Sequence, residues 1–174
     1  MPLPHPGQNQ LPWPTSTAEL APAERFIVWA FRRWVLGLKQ NTGDHWTLVW
    51  NEFARQLGDG DGRDALSGFA GLVKAMQCHA RRRISYHQPC CPFLGADEVS
   101  IVCFVAACQN EHPQLARSLA EWLVKADGAD EMLEAGTRLS AGMRRHALLL
   151  PQRSGTSGTP PAMMETHARA AALH

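Results

Sequence analysis

The chain has 174 residues, with 17 Lys and Arg against 16 Asp and Glu and a formal net charge of +1. That length supplies a core of ordinary single-domain size without cross-links, and the near balance of charge provides no global field to draw in nucleic acid or an anionic membrane. No run approaches ~20 apolar residues, and the start MPLPHPGQNQLPWPTS carries prolines where a signal peptide would carry its apolar stretch, so a cytoplasmic chain with no membrane association is expected.

Residues 1 to 16 hold five prolines and little periodicity and are expected to form a flexible arm. From Ala21-Pro22 the pattern becomes helical: Pro22 suits a first turn, Glu24 suits the positive end of the helix dipole, and Ile27, Phe31, Trp34 and Leu38 share a face. This predicts a first helix over 22–40. Asn41-Thr42-Gly43-Asp44 breaks it, and Trp46, Val49, Trp50, Phe53 and Leu57 mark a second helix ending near Gly58. Gly58-Asp59-Gly60-Asp61-Gly62 reads as a turn, followed by a third helix on Leu66, Phe69, Val73 and Met76 that carries Cys78 and His79 near its end and is closed by Arg81-Arg82-Arg83.

Ser85 to Gly95 contains two prolines and cannot continue that helix. Asp97-Glu98 then precede an almost unbroken apolar run from Val99 to Cys108, which predicts a fourth helix buried on all sides. The β-branched residues of 99–105 would also suit a strand, but the run continues through Ala106-Ala107 and its neighbours are helical. His112-Pro113 opens a fifth helix with Leu115, Leu119, Trp122 and Leu123 inward, ended by Asp127-Gly128. Met132, Leu133, Leu139, Met143 and Leu148 mark a sixth, stopped by Pro151. The expected fold is thus all-α, a single-domain bundle of about six helices over 17–151, with a Cys/His/Pro-rich connection between the third and fourth helices and a flexible tail over 152–174. Most of the tryptophans of the helices, Trp29, Trp34, Trp46, Trp50 and Trp122, are expected in the core.

Five cysteines in a chain without export signals point to free thiols or metal ligands rather than a disulfide framework. Cys78, His79, His87, Cys90 and Cys91 form the densest chemical cluster. Zinc takes about four nitrogen or sulfur ligands in a tetrahedron, and His87-Gln88-Pro89-Cys90 offers two at a spacing one loop can fold around an ion, with Cys78 or His79 as a third. No second two-ligand unit follows, and Cys103 and Cys108, about 140° apart around their helix, belong to the core. Cys91-Pro92 would also suit thiolate ligation of haem, and Cys90 or Cys91 could act as a nucleophile or redox thiol with His87 as base and Arg81 to Arg83 favouring the thiolate. Against these stands the plain structural reading: Cys78 packs in the core, His79 and His87 are exposed, no cofactor is held, and the connection is ordered by its prolines and by apolar contacts of Phe93 and Leu94.

Other patterns carry less. Gly60-Asp61-Gly62 follows a helix, whereas a dinucleotide fingerprint needs a preceding strand. Asp59 and Asp61 open like a calcium loop, but its sixth and twelfth positions are Asp64 and Ala70. A di-iron bundle would need Glu-x-x-His, which does not occur. Arg81, Arg82 and Arg83, with Arg32-Arg33 and Arg144-Arg145, would form an anion or nucleic-acid patch only if the fold brought them together; the third helix lacks the polar, basic face of a DNA-reading helix.

The order of an amphipathic first helix with Glu24 and Arg32-Arg33, then Arg82, His87, Cys91, Leu94 and Asp97-Glu98, then Gln109, resembles that of small helical proteins of proteobacteria over residues 22 to 151. The resemblance implies no activity; it implies that His87 to Glu98 belong to the domain proper. A helical body without a catalytic constellation is expected to act as a non-enzymatic regulatory or adaptor protein with a protein partner. The alternative is a zinc-binding, haem-binding or thiol-based sensor using the Cys78 to Cys91 segment. An enzyme using Asp97, Glu98 and His87 is the least supported reading.

Overall fold

The computed structural model describes residues 13–153. A 3-10 turn, Thr17–Glu19, leads into six α-helices: α1 Pro22–Gln40, α2 Asp44–Leu57, α3 Asp59–His79, α4 Ala96–Gln109, α5 Pro113–Leu123 and α6 Ala126–Arg145. No strand occurs among the described residues, which are 72% helical, and the bundle is all-α as the periodicity predicts. No helix among them is long and apolar enough to cross a membrane.

α3 and α6 are the most extensively packed pair, with α2 against α1 and α3, and α4 against α1, α5 and α6. Eleven of the fourteen residues of α4 are buried, so this helix is enclosed on nearly all sides, and the strand alternative for 99–105 does not hold. Phe53 and Phe69, with ring centroids 5.6 Å apart, join α2 to α3, and Phe26 meets Phe53 at 4.7 Å. The five helical tryptophans lie at the margin: each is half-buried, Trp34 tilts against Trp46 at 6.2 Å, and none is fully enclosed. The Trp46 indole N–H donates to the Trp34 carbonyl at 3.3 Å, a partner a position at the rim can supply.

Four boundaries differ from those the sequence predicts. Only Gly58, at φ +70°, is a true break between α2 and α3; α3 starts at Asp59, and the expected turn over Gly60 to Gly62 is its first turn. Asp59 and Asp61 stabilise that turn through the helix dipole, and the helical position 62 is a glycine because a Cβ there would stand 2.9 Å from the Phe53 carbonyl oxygen. α5 ends at Leu123, not at Asp127-Gly128, because Val124 turns extended and pairs with Ala80 while Lys125 N–H donates to the His79 carbonyl. Asp127 and Gly128 therefore fall in the first turn of α6, with Gly128 beneath the His79 side chain. At the far end α6 stops at Arg145, short of Leu148, and Arg81 to Arg83 lie beyond α3 instead of closing it.

The body also reaches slightly past the expected domain limits. Residues 13–16 lie on it: Ser16 pairs with Phe93, Thr17 N–H donates to Pro92 O at 2.8 Å and Leu94 N–H to Thr15 O at 3.0 Å. Arg153 returns to α1, where its Nε and Nη2 donate to the buried Glu24 carboxylate at 2.5 and 2.6 Å. The remaining residues of the expected arm and tail, 1–12 and 154–174, are outside the described residues.

Candidate functional site

The connection from Ala80 to Gly95 has no regular structure to satisfy its backbone, so its polar groups must find partners elsewhere. Many of them meet one buried side chain. Arg32, on the inner face of α1, is 1% exposed, and all five of its N–H donors are met. Nε donates to Glu98 Oε1 at 2.6 Å, and Nη2 to Glu98 Oε2 at 3.0 Å and to Phe93 O at 2.6 Å. Nη1 donates to Cys91 O at 2.6 Å and Gln88 O at 3.2 Å. A planar fork of five donors suits such a set of carbonyls and a carboxylate, and an ammonium would not span it.

Glu98 is filled in the same way. Beyond Arg32 it accepts the N–H of His87 at 3.1 Å and of Gly95 at 2.8 Å, the latter closing the first turn of α4. Its neighbour Asp97 takes both arms of Arg82, at 2.6 and 2.8 Å, with the N–H and hydroxyl of Ser85 at 2.8 and 2.9 Å. The Arg82 guanidinium also lies over the Trp122 ring, 5.1 Å from its centroid. The acidic pair that opens α4 is therefore a double clasp on the connection: Glu98 with Arg32 grips residues 87–95, and Asp97 with Arg82 grips 82–85.

Burial pushes the Asp97 carboxyl upward, but the Arg82 guanidinium and the two Ser85 donors outweigh it and hold the group below its ordinary value of 3.8. A carboxylate held low stabilises the fold above that value and loses its contribution as pH falls through the folded value. Asp97→Asn is accordingly expected to cost about 1.5–3 kcal/mol at neutral pH, the range for hydrogen bonds to charged groups. In urea unfolding followed across pH, the gap between parent and variant should narrow as pH falls below the carboxylate range; a gap that stays constant would contradict the assignment.

The residues singled out by composition are not gathered. Cys78 is exposed on α3, not packed in the core. His79 is half-buried, 3.7 Å from Glu131 of α6. His87 is half-buried beside Gly95, Cys90 is exposed and Cys91 half-buried. Among the described residues no group of three or more His, Cys, Asp or Glu could hold a metal ion. The three arginines diverge as well: Arg81 Nε donates to the carbonyls of Glu121 and Val124, Arg82 is engaged by Asp97, and Arg83 points to solvent. Arg32 is buried, while Arg144 pairs with Glu111 and Arg145 with Asp61.

Cys103 is buried and its thiol is pushed far up by burial; Cys108, expected in the core beside it, is half-buried, and its thiol is raised to about 12 for the same reason. Neither is suited to thiolate chemistry. Of the two residues expected to order the connection by apolar contact, Leu94 packs against the core while Phe93 is 65% exposed, and Arg32 and Glu98 hold the backbone. Comparison with family models, with curated proteins and with solved structures finds no match. The chemistry of the site must therefore be argued from its own residues. Asp97 and Glu98 spend their oxygens on fixed donors of the connection and so shape this loop.

Proposed function

We propose that the protein is a non-enzymatic regulatory or adaptor protein, and that it meets a protein partner through the clasped loop at Phe93. The observation that carries this reading is the contrast within one residue: the Phe93 carbonyl is held by the buried Arg32 at 2.6 Å, while its ring is 65% exposed. Its chain neighbours Pro92 and Leu94 are pinned to residues 15–17. An aromatic ring left in water on a backbone fixed in advance has the properties of an interface anchor, since large aromatic side chains carry much of the binding energy at interfaces and a loop already ordered loses little entropy on binding.

The test is Phe93→Asp in the full chain. Partners are captured by cross-linking in the source cells, and the purified pair is then titrated. The substitution should leave the urea midpoint unchanged and weaken partner binding by about thirtyfold or more, the equivalent of losing one anchor of about 2 kcal/mol. Equal affinity of parent and variant would overturn the reading.

A further inference from the structure

Cys90 and Cys91 are adjacent in sequence and close to the surface together, the first exposed and the second half-buried. They occupy the last two positions of a turn closed by Cys91 N–H on Gln88 O at 3.0 Å. The carbonyls of Gln88, at the start of the turn, and of Cys91, at its end, are both held by Arg32. Two thiols are thus presented on a backbone that cannot easily rearrange, and three chemistries compete for them.

A disulfide between neighbours is opposed by covalent geometry. Their peptide is trans, which fixes the Cα atoms about 3.8 Å apart, inside the lower limit of about 4.4 Å for an ordinary disulfide. Closing the bond would require twisting the peptide whose N–H holds the turn. A four-coordinate ion is opposed by the ligand count, since no third donor gathers among the described residues. What remains is a soft centre content with two sulfurs. Placed between the sulfurs, it lengthens the ring and removes the demand that they touch.

We propose that Cys90 and Cys91 form a two-thiolate site for a soft, thiophilic centre of the class of trivalent arsenicals. With an arsenic(III) oxide group, R–As=O, two S–As bonds form, the two S–H protons leave with the oxide oxygen as one water, and no oxidation state changes. The exposed face of the turn admits the ligand, and the clasp behind it keeps the two sulfurs on one short, rigid segment.

The experiment uses the reduced full chain and phenylarsine oxide, followed by intact mass and by titration of the remaining thiols. One adduct per chain with the loss of two titratable thiols is expected in the parent and in Cys78→Ser. Loss of one arm of a chelate removes the gain from linked binding, so Cys90→Ser and Cys91→Ser should each bind about a hundredfold more weakly or worse. Cys90 is exposed, so its serine variant should unfold at the parent's urea midpoint, and that measurement keeps a folding defect separate from loss of the site. Absence of an adduct in the parent, an adduct that survives Cys90→Ser undiminished, or one that requires Cys78 would each overturn the proposal.

Discussion

Glu98→Ala should lower the unfolding free energy by about 3–5 kcal/mol, the cost of removing one member of a buried ion pair. The substitution leaves Arg32 charged at 1% exposure with three carbonyls and no counter-ion, and it orphans the N–H groups of His87 and Gly95. Against a total stability of about 5–15 kcal/mol for a domain, that is a large share. Urea unfolding measures the loss, and amide hydrogen exchange locates it: the His87 and Gly95 amides should lose protection before those of α3 and α6. A loss below about 1 kcal/mol, the scale of an exposed pair, would mean that the clasp does not hold the connection.

The second large effect is expected at the crossing of α3 and α6. A Cβ on Gly68 would stand 2.6 Å from the Leu139 amide nitrogen and 2.8 Å from the Ala135 carbonyl oxygen, both backbone atoms of the facing helix. Neither can swing aside, so Gly68→Ala has to push the helices apart. We expect a cost of about 3 kcal/mol, the upper end for overpacking in a core, read as a fall in thermal midpoint. Gly60→Ala supplies the contrast. Gly60 is helical and its Cβ would meet open space, so that variant should gain about 0.5–1 kcal/mol through helix propensity. Opposite signs at the two glycines are the signature; loss at both would mean that the α3 start is not helical.

The helices could be read from the chain because their signal is periodic. Ile27, Phe31, Trp34 and Leu38 fixed α1 by spacing alone, and the run from Val99 to Cys108 announced a buried helix through its lack of a polar face. The boundaries failed where glycine served packing. Gly62 and Gly128 look like turn residues, but each sits in a helix and is glycine because something approaches closely, the Phe53 carbonyl in one case and the His79 side chain in the other. Such proximity is set by the partner helix and leaves no local mark.

The site was legible in its location and not in its mechanism. The Cys/His/Pro connection does join α3 to α4, and the weight placed on its cysteines and histidines came from their chemical reactivity. What organises the loop is Arg32, 66 positions before its partner Glu98. From sequence, Arg32 reads as part of a surface pair with Arg33, and Asp97-Glu98 as a helix start. One available signal is the occurrence of Glu24, Arg32, Arg82, Asp97, Glu98 and Gln109 on or beside otherwise apolar helical faces. Those six include both carboxylate–arginine clasps, the Glu24 that receives Arg153, and the Gln109 that holds Leu148 O and Leu150 N. Opposite charges and a buried amide within a hydrophobic chain suggest internal pairing, but sequence cannot say which pairs with which.

The pairing of Glu24 with Arg153 spans 129 positions, and it bears on the order in which the chain assembles. Contacts between distant segments close late, after the local helices have formed. Residues 15–17, 92–94 and 153 converge near the start of α1, so this corner is completed only when the beginning, the middle and the end of the described chain have all arrived. A polypeptide emerging from the ribosome could form α1 to α3 early, yet would lack this corner until its last helix had been made. Interactions added at such a late stage act mainly on the rate of unfolding, so the corner governs how long the finished molecule lasts more than how fast it forms.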